Sequence, residues 1–223
     1  MVKLSESPGK AGESFARLFG NNDMGQLLSR LQSAVIRAGH ELERVLENAT
    51  PSEMVTTLQD LITSAHDVLP VQVIFKPTRA DPERAGKNIE ADLLVIDNEN
   101  QVMKLVEVKE GHVFDTKKAD GELASLRSIT SWLAQEFPYR ATYYLCAFNQ
   151  EDRQEIVKGA KRRFSIDHVL TGRDLCEMVG IDYDVICELR KQDQAENRAF
   201  FLSELLRIPE IRAEVETILK GQA

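Results

Sequence analysis

Up to Pro70 the apolar residues recur at three- and four-residue steps, and beyond it they gather into short, nearly continuous runs. Leu27, Leu28, Leu31, Val35, Ala38, Leu42, Val45 and Leu46 place one stripe along a helix from about Asp23 to Glu47. Thr50-Pro51-Ser52-Glu53 then reads as a capping box with Pro at the first helical position, opening a second helix that carries Met54, Leu58, Leu61 and Ile62 up to Pro70. Val71–Phe75, Asp92–Asp97, Val102–Lys109 and Thr142–Phe148 are rich in Val, Ile, Leu and Tyr and read as strands. A helix from Lys117 to Phe137 separates the third from the fourth, so the centre reads α-β-β-β-α-β. Further on, the pattern predicts a helix over Glu151–Phe164, a fifth strand over Ile166–Leu170 and a short helix over Arg173–Val179. A long helix over Tyr183–Leu206 and a last one from Pro209 to Lys220 close the chain. The expected class is α/β with N- and C-terminal helical additions. Residues 1–22 read as a flexible lead, and 23–223 as one domain with 183–223 as its helical extension.

The 223 residues, 43% of them hydrophobic, suffice for one large domain with a real core and argue against disorder. No run approaches the ~20 apolar residues of a membrane span, and the opening MVKLSESPGKAGES lacks the apolar stretch of a secretory signal. A soluble, cytoplasmic protein with no membrane partner is expected. Cys146, Cys176 and Cys187 form no CxxC pair, which leaves neither a disulfide framework nor a zinc knuckle. Neither a Walker A loop nor a dinucleotide fingerprint is present, so no nucleotide cofactor is expected. Taken alone, the net charge of −8 argues against a polyanionic partner.

The segment Ile89–Lys109 contains a hairpin with a definite register. If Asp97 pairs with Val102, the turn is Asn98-Glu99-Asn100-Gln101 and paired residue numbers sum to 199. Asp92 then falls opposite Glu107, and Glu90 opposite Lys109. Opposed Cβ atoms lie about 4.5–5.5 Å apart, so two such carboxylates can close on one divalent ion. Lys109 points to the side of Glu107. Two carboxylates holding Mg²⁺, with an ammonium beside them, suit metal-assisted phosphodiester hydrolysis. By itself, an E-x-K tripeptide equally fits a solvated face with modest ion pairing.

Asp92, 14 intervening residues, and Glu107-Val108-Lys109, preceded by a helix and followed by a helix and a strand, resemble the PD-(D/E)xK motif of the restriction-endonuclease-like nucleases. The resemblance covers about Pro51–Asn149, with Ala91 where the family often has Pro. Residues 110–118 also resemble a loop of some type II restriction enzymes. The resemblance implies a central mixed β-sheet and Mg²⁺-dependent cleavage of double-stranded DNA. It further implies Asp92, Glu107 and Val108 at the metal, Lys109 as the catalytic ammonium, and a homodimer cutting a specific sequence. The alternatives are a structure-directed repair, recombination or phage-type nuclease, and a non-catalytic α/β binding module.

Around the site, Glu90 reads as a partner orienting Lys109 or a further acid. Glu53 reads as a cap, with a role as an added site carboxylate weighed beside it. Asp115 reads as the cap of the following helix. Lys117 and Lys118 in that first turn oppose the helix dipole, which favours a phosphate contact. His112 is a candidate for proton transfer or DNA contact, against the ordinary lot of a loop histidine. Arg79, Arg84 and Lys87 occupy the loop before the hairpin and are candidates for reading a DNA groove. They, with Lys117, Lys118 and the cluster Lys158–Arg163, are expected to share one side with the hairpin.

Overall fold

A computed structural model describes residues 3–7, 13–63, 69–80, 88–191 and 194–221. The chain divides into a central unit, Glu43–Asp184, and a terminal unit that joins Met1–Leu42 to Val185–Ala223. The first elements are α1 (Glu13–Phe19), α2 (Asn22–Ala49) and α3 (Leu58–Thr63). Then come β1 (Val71–Phe75), β2 (Thr78–Ala80), β3 (Asn88–Glu90), β4 (Leu93–Asp97), β5 (Val102–Lys109), α4 (Thr116–Glu136) and β6 (Arg140–Ala147). The rest are α5 (Arg153–Gly159), β7 (Val169–Thr171), α6 (Gly172–Met178), α7 (Tyr183–Lys191), α8 (Gln194–Arg207) and α9 (Pro209–Gly221).

The central unit is built on a five-stranded sheet in the order β1-β4-β5-β6-β7, antiparallel from β1 to β5 and parallel from β5 to β7. The sheet is therefore mixed, and the expected α/β class holds. β4 and β5 are buried on both faces, which explains the unbroken apolar run Leu93–Ile96 of β4. Leu94, Ile96, Met103 and Leu105 form one core with Leu126, Ile129 and Leu133 of α4 and Ile156 of α5. Since side chains alternate along a strand, Glu107 and Lys109 continue the face of β5 that α4 covers.

Several boundaries differ from the sequence pattern. The capping box at Thr50 does not form. Thr50 Oγ1 instead donates to the carbonyl of Leu46 at the end of α2, at 2.8 Å, and Ser52–Met54 is one 3-10 turn without a side-chain cap. Val55 bridges to Val73 and the Thr56 N–H donates to the Val73 carbonyl at 2.9 Å, which keeps this stretch extended. The helix starts only after Thr57, whose hydroxyl accepts from the Asp60 N–H at 3.1 Å and donates to its carboxylate at 2.7 Å.

The helix expected over 151–164 ends at Gly159, and Lys161 and Arg162 follow with φ of 55° and 57°. Gly159 is required there, because a Cβ would stand 1.8 Å from the carbonyl oxygen of His112. Ile166–His168 forms a 3-10 turn, with His168 stacked on Tyr143 at 4.4 Å, so the fifth strand begins at Val169. A two-stranded hairpin, β2 with β3, stands between the first and second predicted strands. Within the first 22 residues, Leu4–Glu6 is a 3-10 turn and α1 is helical. Among the described residues no helix is long and apolar enough to cross a membrane.

Candidate active site

β4 and β5 take the expected register, from Asp97 opposite Val102 to Leu93 opposite Val106. Asp97 closes the turn by accepting from the Asn100 N–H at 2.9 Å. The ladder stops one residue short of Asp92, which lies in a bend with its carbonyl accepting from the Lys76 N–H at 3.0 Å. Asp92 Oδ2 accepts from the Val108 N–H at 2.6 Å. The carboxylate is thus anchored onto β5 inside the E-x-K tripeptide, not held as a ladder partner of Glu107.

Glu107 is 7% exposed, an unusual burial for a carboxylate. Its Oε1 makes a close ion pair with Lys109 Nζ, and Glu122 of α4 meets the same ammonium at 3.3 Å. Burial pushes the Asp92 carboxyl up to about 6, with the Val108 hydrogen bond and Lys109 pulling back. Burial and the charge of Asp92 push Glu107 up to about 8. Burial works against the charge on Lys109, but Glu107, Glu122 and Asp92 outweigh it and raise its pKa. The ammonium is fixed among more negative charge than it can neutralise.

That imbalance is the test of a metal. Two buried hard-oxygen donors that repel each other fit a divalent cation, whose charge offsets both. Val108 has an apolar side chain, so only its main-chain carbonyl can serve as the third expected ligand. Among the described residues no group of three or more His, Cys, Asp and Glu side chains is gathered as a metal cluster.

Other candidates fare differently. Glu90 does not meet Lys109: it lies exposed in β3 opposite Thr78, because the chain leaves the β4–β5 ladder at the Asp92 bend and enters the small hairpin. Glu122 takes the orienting place instead. Glu53 is exposed and caps nothing, since Thr50 is spent on α2. His112 sits 3.5 Å from Gln150 Nε2 through its Nδ1, and its backbone packs on Gly159. Asp115 caps α4 by accepting from the Lys118 N–H at 2.8 Å, and Lys117 and Lys118 are exposed on the first turn. Arg79 stands in β2 opposite Ile89, while Arg84 and Lys87 lie outside the described residues. Of the basic cluster, Lys158 pairs with Glu155 at 2.6 Å and Arg163 with Asp120 at 2.8 Å.

Two charged residues near Asp92 escaped the sequence reading. Glu43, in the last turns of α2, pairs with Lys76 at 3.2 Å, and both act electrostatically on the site, Glu43 raising Asp92 and Asp92 raising Lys76. Glu43 adjoins Leu42 at the edge of the α2 stripe, a usable signal. Lys76 has φ of 52°, and nothing in the sequence announces it.

No family model matches the sequence. Along 97% of its length, however, the chain is 38% identical to Type II restriction enzyme HhaII of Haemophilus parahaemolyticus, covering 99% of that protein. The chain belongs to the type II restriction enzymes. The kinship with this restriction enzyme extends through both units, well beyond the segment Pro51–Asn149 that carries the motif.

Proposed function

We propose that the chain is a Mg²⁺-dependent endonuclease that cuts double-stranded DNA at a specific sequence, working as a homodimer in the cytoplasm. The observation that carries the reading is the convergence of Asp92, Glu107 and Lys109 at the end of β5 in a restriction enzyme. Asp92, Glu107 and the Val108 carbonyl are the groups to hold the cation. When bound, it supplies charge to a phosphoryl oxygen and acidifies water.

Lys109 does the chain's own share of the chemistry. Its ammonium stays protonated under the pull of Glu107 and Glu122, and it orients the attacking water and meets charge developing on the scissile phosphate. Glu122 keeps it from swinging free. Lys117 and Lys118 hold backbone phosphates, and Arg79, Arg84 and Lys87 contribute to reading the duplex. A net charge of −8 is no obstacle, because binding follows the local patch and part of the acidity sits at the metal. One site per chain and two antiparallel strands call for two chains related by a two-fold axis.

Incubating plasmid with the protein and Mg²⁺, beside Glu107→Ala and Lys109→Ala, tests the reading. Discrete fragments from the wild type alone support it. Intact DNA, or cutting that survives both substitutions, overturns the catalytic assignment, and a smear or a preference for branched DNA overturns sequence specificity.

A further inference from the structure

The charges around Asp92 include a second ammonium that the proposed chemistry leaves unused. β1 ends at Phe75, opposite Leu93, and the next step of the ladder brings Lys76 beside Asp92, with its N–H donating to the Asp92 carbonyl at 3.0 Å. Its Nζ pairs with Glu43 at 3.2 Å. The Glu43 hydrogen bond and charge raise the pKa of Lys76 against the effect of burial, with Glu90 and Asp92 adding to them. Asp92 thus has two ammoniums near it, of different kinds. The Lys109 side chain is 23% exposed and is gripped by Glu107 and Glu122 together, whereas that of Lys76 is 52% exposed and among the described residues pairs with Glu43 alone.

The backbone of Lys76 is costly. Its φ of 52° lies in the left-handed region, where a Cβ crowds the following carbonyl and glycine is the usual occupant. Pro77 compounds the cost, because its ring drives the residue before it towards extended backbone with negative φ. A lysine half in water gains little from one ion pair, less than this conformation costs. Stability alone would favour glycine at position 76, so the reason for a lysine lies in what its ammonium can reach.

We propose that Lys76 is a DNA-contacting residue of the cleavage site, whose ammonium leaves Glu43 for a backbone phosphate of the strand bound at Asp92. The inference rests on the proposed function, which puts a phosphodiester at the cation held by that carboxylate. The exchange keeps the ammonium paired with an anion throughout, and a half-exposed, flexible four-carbon stem lets it swing. Lys109, locked in place, meets the charge developing on the scissile phosphate; Lys76 holds the strand there.

The test compares Lys76→Gly, Lys76→Ala and Lys76→Arg with the wild-type full chain. Melting temperature, plasmid cleavage with Mg²⁺, and binding of labelled plasmid fragments with Ca²⁺ across about 50–200 mM KCl are measured for each. Glycine relieves the backbone and removes the ammonium, alanine removes the ammonium alone, and arginine keeps the charge. Lys76→Gly should therefore melt above Lys76→Ala by about 2–4 °C. Both should nonetheless bind DNA about tenfold more weakly, and flatten the dependence of log affinity on log salt by about one. Cleavage at limiting DNA should fall by the same factor in both, and Lys76→Arg should retain most of the affinity and the full salt slope.

Wild-type affinity and slope in Lys76→Gly and Lys76→Ala overturn the proposal, because Lys76 is then only a tie between α2 and β1. A binding defect in alanine that glycine repairs, or that arginine shares, overturns it too. If the wild type binds DNA without cutting it and the slope still falls by one in both variants, the phosphate contact stands and the nuclease reading falls. If the wild type cuts and the variants keep its slope, the nuclease reading stands and the phosphate contact falls. A wild type that neither binds nor cuts DNA overturns both.

Discussion

In the central unit Leu94, Ile96, Met103 and Leu105 expose nothing to solvent, while in the terminal unit Val35, Ile36 and Ile218 remain more than half exposed. Both units spend apolar residues freely; they differ in what covers them. The central strands are buried on both faces, with α4 and α5 packed together on the face of Leu94, Ile96, Met103 and Leu105, and that tight surround is what can hold two carboxylates and an ammonium against their preference for water. Helices with open stripes cannot build such a site. The lesson is a division between the units, with charge stored where packing is complete and apolar side chains left open to solvent where it is not.

The largest effect that sharpens this division lies in the central unit. Glu107→Ala and Lys109→Ala should each lower DNA cleavage by about 10²–10³-fold or more while leaving the sedimentation behaviour of the wild type intact. Cleavage rates and sedimentation of the same preparations check it. A changed sedimentation profile in either variant would show that the substitution disturbs more than the site.

Core truncation comes next. Leu126→Ala, at a side chain 1% exposed in α4, should cost about 2–5 kcal/mol by denaturant titration, and Ile218→Ala at the exposed end of α9 should stay within about 0.5 kcal/mol. Trp132, the one tryptophan of the sequence, packs edge-on against Phe137 within the central unit and reports that unit's unfolding by fluorescence. Equal costs at the two leucine-sized sites would show that α9 is covered after all.

How far the sequence reveals all this follows the same division. The hairpin register was legible down to the pairing of Asp97 with Val102, because a two-residue period locks a strand's face and a short turn locks its partner. Asp92, Glu107 and Lys109 came with it. What the register could not reveal was the bend at Asp92, which turns that carboxylate onto the Val108 N–H and sends Glu90 into a separate hairpin. Glu43 reaches the site from a helix distant in sequence and Glu122 from α4, the helix that follows β5, and no local period encodes such meetings. Thr50 shows the converse: its capping signal was sound, but the end of α2 claims the hydroxyl first. The α2 stripe was legible as a stripe; whether it would be covered was a tertiary question, and at Leu31 and Val35 the chain alone leaves it open.

A smaller effect concerns pH. Glu107 and Asp92 have folded pKa values of about 8 and about 6, above the 4.5 and 3.8 of free carboxyls, so the folded state binds more protons than the unfolded one between these limits. Their contribution is fully present below about pH 4 and is lost as pH rises through about 6 and 8. With chelator present, the melting temperature should therefore fall by a few degrees from pH 5 to pH 8, and Mg²⁺ should restore it at pH 8. Glu107→Gln should flatten the fall and weaken the rescue. A melting temperature that rises across this interval in chelator would contradict the buried carboxylate pair.

The smallest contrast sets one ion pair from each unit side by side. Arg153 meets Asp174 at 2.8 Å in the central unit, and the same carboxylate caps α6 by accepting from the Thr171 N–H and hydroxyl, both at 2.7 Å. Burial opposes the charge on Asp174, but the bonds from Arg153 and Thr171 outweigh it and hold the carboxyl below its usual range. Arg212 meets Glu216 at 3.1 Å on α9, with both side chains more than half exposed. Asp174→Ala should cost about 1–2 kcal/mol and Glu216→Ala less than about 0.5 kcal/mol. Because the folded pKa of Asp174 is depressed, its stabilisation is present above pH 3.8 and fades as pH falls through the lower folded value. Denaturant titrations of both variants at pH 7 and pH 3 check the pair, with the Asp174→Ala deficit shrinking in acid and the Glu216→Ala deficit small at both. A Glu216→Ala cost equal to that of Asp174→Ala would mean that α9 is held as firmly as the central unit, and the contrast between the two regions would lose its energetic basis.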